Sequence, residues 1–229
     1  RGGKLPETAT EWAVTLAGKL LSSDSNLQKR HGIQLASELR LADVYDQLAS
    51  LAASSDHPPL RNNAIDACVA NDAARAVSLL AGILKNGREP IDIRQKAAGA
   101  LGGIGSPESQ EALLEVLPSA PERLAVEIAS ALASRKESAE ALLASIEAGK
   151  ATARLLQEKT IVERLHNTQL EGLGEQIEKL TASLPPADER LTMLVASRRE
   201  GFLAANVDLE AGHQVFVKHW AACHKIGDE

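Results

Sequence analysis

Arginine recurs at Arg30, Arg61, Arg94, Arg123 and Arg154, in steps of 31, 33, 29 and 31 residues. Each opens a run rich in small apolar residues: RHGIQLASEL, RNNAIDACVA, RQKAAGALGG, RLAVEIASAL and RLLQEKTIVE, the fifth departing most from the pattern. Between the first four runs and the next arginine lies a second stretch of helical character: DVYDQLASLAA, AARAVSLLAGIL, SQEALLEVL and SAEALLASI. A period near thirty residues is the length of a helical hairpin. One such hairpin cannot bury both of its apolar faces. Stacked copies can, so the repeat itself constrains the fold.

Local signals agree with helices. Leu124, Ile128 and Leu132 step by four, and Leu113, Leu114 and Leu117 share a face. Ser106-Pro107-Glu108 supplies a capping hydroxyl, a proline for the first turn and an acid for the positive helix end. Pro121-Glu122 opens the next helix in the same way. Gly102, Gly103 and Gly105 stop the one between, and Asn86-Gly87 ends another. No stretch alternates with period two, so no strands are expected. Hydrophobic residues make up 44% of the chain but aromatics only 2%. The core must therefore be Ala, Leu, Ile and Val, which suits closely stacked helices.

The flanks read differently. Residues 1–25 hold one helix, roughly Thr10 to Leu21, with Trp12 expected on its apolar face and the whole segment capping the array. After Gly149 the pattern drifts. Helices are expected at Ile161 to Leu165, Leu170 to Leu184 and Ala187 to Ala205, with Pro185-Pro186 separating the last two. Leu191, Leu194 and Phe202 mark the last of them. These helices are expected to continue the array to residue 205 and close it.

The stretch Arg94 to Leu117 is similar to short HEAT repeats. The resemblance implies an all-α fold, a right-handed α-solenoid (superhelix) of HEAT-like helical hairpins, with the Arg-led helices on the inner face. It also implies a ladder between repeats, made of Arg30, Arg61, Arg94 and Arg123 with the acids Asp24, Asp56 and Glu89. Each of these acids lies five or six residues ahead of an arginine. The competing reading is a set of solvated surface charges, each contributing little.

The tail, residues 206–229, brings three of the chain's five aromatics within its neighbourhood (Phe202, Phe216 and Trp220). It reads GHQVFVKHWAACHKIG. Gly212, Val215, Phe216, Cys223, His224 and Gly227 resemble the opening of a class I cytochrome c domain. There, two cysteines bond the haem vinyl groups and the following histidine ligates iron. The resemblance implies Cys223 as the thioether residue and His224 as the iron ligand for haem c. Trp220 stands where the first cysteine belongs, and an indole there would crowd the ring edge. From Ile161 onward, VERL, LPPADERL and the Arg198-Arg199 to Phe202 stretch resemble planctomycete-type multidomain proteins that join a HEAT-like array to a C-terminal cytochrome c domain. That likeness implies an extracytoplasmic or periplasmic redox protein in which this array is a connector. The chain opens on Arg1 and is read as a piece of a longer protein. The expectation is no cofactor in this chain, with haem c belonging to the full-length parent.

Charge and spacing weigh against other classes. A net charge of −6 disfavours a nucleic-acid binder, which needs clustered Lys and Arg. No stretch is long and apolar enough to span a bilayer. Cys68, between Ala67 and Val69, reads as a small buried thiol. His219, Cys223 and His224 offer at most three of the four ligands a zinc site needs. Glu158, Glu163, Glu175 and Glu178 sit with Lys159 and Lys179 on solvated helix surface. The expected function is a non-catalytic scaffold that binds a protein or a neighbouring domain of the same polypeptide. The alternatives are a haem c electron-transfer protein and an enzyme on a HEAT-like scaffold, the latter by analogy of fold alone.

Overall fold

The computed structural model describes residues 6–185, 187–204, 208–221 and 225. Among them there are helices and no strands. The chain divides into two compact units, Arg1–Ser183 and Leu184–Glu229.

In the first unit the helices pair as hairpins. Helix α1 (Glu7–Leu21) pairs with α2 (Asn26–Leu39), α3 (Tyr45–Ser54) with α4 (Pro58–Asn71), and α5 (Ala73–Lys85) with α6 (Ile91–Ile104). Helices α7 (Pro107–Val116) and α8 (Glu122–Leu132) follow, then α9 (Lys136–Glu147). A 3-10 turn (Ala153–Gln157) leads to α10 (Lys159–Asn167) and α11 (Leu173–Thr181). Equivalent helices stack in order. The layer α2, α4, α6, α8, α10 is the one led by the arginines, and α1, α3, α5, α7, α9 form the other. This is an α-solenoid of HEAT-like hairpins.

Apolar spacing sets which side of each helix turns inward. In α5, Ala76, Val77, Leu80, Ile83 and Leu84 are buried, a stripe of one helical face. Helix α8 is buried on most of its circumference, because α6, α7, α9 and α10 surround it. Fully burying a leucine such as Leu80 or Leu132 contributes roughly 1.5–3 kcal/mol. Small residues let the Arg-led layer close up. A Cβ at Gly102 would lie 2.6 Å from the Ala131 Cβ, so only glycine admits this approach of α6 to α8.

The expected caps form. Ser106 Oγ accepts from the Ser109 amide at 3.2 Å, and Asp72 Oδ1 accepts from the Arg75 amide at 3.0 Å. Gly105 ends α6 in the left-handed conformation, φ 65°.

Three expectations are corrected. Trp12 is 65% exposed, not on the apolar face. The buried stripe of α1 is Ala13, Ala17 and Leu21, and Trp12 lies about 100° around the helix from Ala13. Helix α1 is also half of the first hairpin, so the array begins within residues 1–25 and not at 26. At the other end the first unit stops at Ser183, short of 205. The following helix, α12 (Ala187–Ala204), belongs to the second unit, and Met193, Leu194, Val195 and Phe202 on it are exposed. The second unit also contains α13 (Leu209–His219), which ends one residue before Trp220.

Candidate interaction face

The arginines at the start of the second helix of each hairpin do two kinds of work. Arg61 is buried. Its Nε donates to the Ala52 carbonyl at 2.9 Å and its Nη2 to the Ala53 carbonyl at 3.1 Å, at the C-terminal end of α3. Its Nη1 meets Glu89 Oε2 at 2.7 Å, in the segment leading to α6. Arg94 Nε donates to the Leu84 carbonyl at 2.9 Å, at the end of α5. Both side chains place a cation on carbonyls that lack helical partners, where the helix dipole is negative.

The remaining ladder residues fall elsewhere. Arg61 and Arg94 are the fourth residues of their helices, Arg30 is the fifth and Arg123 the second. One residue is about 100° of rotation. Arg30 is therefore exposed, and Arg123 reaches Asp92 Oδ1 at 3.0 Å on the surface. Asp24 and Asp56 are exposed and form no ion pair among the described residues. Arg154 lies in the 3-10 turn before α10 and is exposed.

A second set of rungs was not foreseen. Among the described residues, every ion pair except Lys159–Glu163 joins positions about one repeat apart. Asp46 and Arg75 approach to 2.8 Å, Lys85 and Glu115 to 2.6 Å, and Glu147 and Lys179 to 3.0 Å. On the Arg-led layer Asp66 meets Lys96 at 2.5 Å. Arg135, in the turn before α9, donates to the Gly102 carbonyl and, at 2.7 Å, to the Gly103 carbonyl. Gly105 leaves room for this guanidinium, because a Cβ there would collide with it. The glycine cluster 102–105 signalled a helix stop in the sequence. Its second use, as a seat for a distant arginine, carried no sequence signal.

Across α4, α6 and α8 the Arg-led layer forms an open groove of about 550 Å³. Asn62, Asp66, Asp92, Gln95, Gly99 and Glu127 contribute to its walls. Gln95 Nε2 donates to the Arg123 carbonyl at 3.3 Å. No group in the groove is poised as a nucleophile beside a base.

Among the described residues, Cys68 and Tyr45 form a chemically unusual pair in the core. Cys68 is fully buried, and burial pushes its thiol up to about 12, partly opposed by the Arg75 guanidinium. Tyr45 is raised to about 12 by burial first and by the neighbouring Cys68 second. The Arg75 guanidinium stacks 4.1 Å from the Tyr45 ring centroid. The thiolate is strongly disfavoured here, so Cys68 is a packing residue and not a nucleophile.

Cys223 and His224 lie outside the described residues. Gly212, Val215 and Phe216 are on α13, and Trp220 follows it at 56% exposure. Among the described residues no group of three or more metal-ligating side chains gathers. No described helix is long and apolar enough to cross a membrane.

A family model described as HEAT repeats matches residues 45–133, from the start of α3 to the end of α8. No curated protein matches the chain. The matched stretch contains the groove and the buried arginine. HEAT repeats are helical-repeat scaffolds for protein interaction and are generally non-catalytic.

Proposed function

We propose that the array is a non-catalytic scaffold whose Arg-led layer binds a neighbouring domain of its own polypeptide or a separate protein. The observation that carries this reading is the polar groove across α4, α6 and α8, within tandem hairpins whose buried groups serve packing and capping. A stacked array holds such a face rigid without a catalytic pocket. The test is co-purification of the array with its flanking domains expressed in trans. Binding that is lost when groove residues are substituted supports the reading. Failure to bind any flanking domain or extracytoplasmic protein overturns it.

The finer proposal is that this scaffold connects to a cytochrome c module in an extracytoplasmic redox protein. Its support is the tail pattern of Gly212, Val215, Phe216, Cys223, His224 and Gly227. Haem c would supply one-electron transfer, with Cys223 bonded to a vinyl group and His224 on the iron. Trp220 has no thiol, so this donor set provides at most one thioether. Periplasmic expression of the longer protein with haem-maturation machinery tests it. A Soret band that survives acid-acetone extraction supports covalent haem. A colourless protein refutes it.

A further inference from the structure

The groove on the Arg-led layer has a particular chemical imbalance. Asp66 is held by Lys96, and Asp92 by Arg123. The carboxylate of Glu127, half-buried on α8, makes no ion pair or hydrogen bond among the described residues. Asn62 on α4 likewise makes no side-chain hydrogen bond, and its amide oxygen is shielded from water without a donor. What the groove leaves unmet is therefore the Glu127 carboxylate, while Lys96, the cation in its lining, is held by Asp66.

Gly99 lies beside Glu127 in the groove. It is exposed in the middle of α6, where glycine costs about 1 kcal/mol relative to alanine. Gly102 on the same helix has a packing reason to be glycine. At Gly99 a Cβ would meet only the Glu127 carboxylate, at 3.3 Å. The glycine keeps the backbone low and the carboxylate open beside it, as a closely approaching ligand requires.

We infer that this groove receives an extended protein segment whose arginine or lysine pairs with Glu127 and whose backbone passes over Gly99. The inference rests on the scaffold reading above and gives it a partner chemistry. Three adjacent helices spaced 8–10 Å apart span about 20 Å, the reach of roughly six extended residues. A cation entering a half-shielded site beside one free carboxylate gains a charge-assisted hydrogen bond. Lys96, the cation in the groove lining, is paired with Asp66 and leaves Glu127 to the incoming group.

The test titrates the full chain with a blocked Arg-Gly repeat peptide and a Glu-Gly peptide of equal length, by fluorescence anisotropy and amide NMR. The expected result is saturable, salt-sensitive binding of the Arg-Gly peptide alone, with shifts centred on Asn62, Gly99 and Glu127. Glu127→Gln should weaken it about tenfold. Glu140→Gln, which removes the same charge from exposed α9, should leave it within about twofold. Circular dichroism confirms that both variants are folded. Equal loss in the two variants, or shifts outside the groove, reduces the effect to general attraction by an acidic protein and overturns the inference. If the peptide fails to bind while flanking domains still co-purify, this partner chemistry falls and the scaffold reading stands.

Discussion

Arg61 Nη1 and Glu89 Oε2 lie 2.7 Å apart across two repeats, with side chains only 9% and 14% exposed. The same guanidinium holds the last carbonyls of α3. One side chain thus ties a helix end, its own hairpin and the next. Removing it strands a shielded carboxylate and two carbonyls together. Arg61→Met is expected to lower unfolding free energy by about 3 kcal/mol in urea titrations. Glu89→Gln, which keeps a hydrogen-bonding partner, should cost about 1 kcal/mol. Equal effects from the two substitutions would show that the carbonyl contacts contribute nothing.

The surface rungs should behave otherwise. Asp46 and Arg75 are 2.8 Å apart but 90% and 49% exposed, so water screens them. A double-mutant cycle on this pair is expected to return under about 1 kcal/mol, shrinking further in molar salt. A larger coupling that persists in high salt would mean the rungs act as a network.

Two glycines one residue apart on α6 offer an internal comparison. At Gly102 a Cβ would lie 2.6 Å from the Ala131 Cβ, whereas at Gly103 nothing lies within 4 Å. Gly102→Ala is expected to destabilise by about 1–3 kcal/mol through overpacking of α6 on α8. Gly103→Ala should be neutral or stabilising by up to about 1 kcal/mol, from helix propensity alone. Thermal melts of the two variants decide it, and the same sign for both would refute the close approach.

Cys68 and Tyr45 make stability fall at alkaline pH. Both have folded values raised to about 12, from ordinary values of 9.0 and 10.0. The folded chain keeps these protons where the unfolded chain has lost them. The stabilisation is complete below pH 9 and is lost as pH rises towards 12. Cys68→Ala should flatten the pH 9–10 part of the profile in chemical denaturation. At pH 8 the native thiol should react with a disulfide reagent only as fast as the protein opens.

The helices were legible because their causes are local. Ser106, Pro107 and Gly105 act on the turns beside them, and the four-step spacing of Leu124, Ile128 and Leu132 is written along one helix. The candidate face was less legible. Arg61 and Arg94 could be placed at helix starts from spacing, yet Arg30 shares the spacing and is exposed. A shift of one residue along a helix turns a side chain about 100° away. Asp92 rather than a ladder acid meets Arg123 for the same reason.

By itself, then, the amino-acid order determined that this chain builds stacked helical hairpins, because a thirty-residue period of small apolar faces has no other way to leave water. Tertiary structure alone decided which charges meet, where Arg135 lands, that Trp12 faces solvent and that the first unit ends at Ser183. Those outcomes depend on the rotation and approach of neighbouring helices, which are set by how side chains interlock across repeats and not by any single segment.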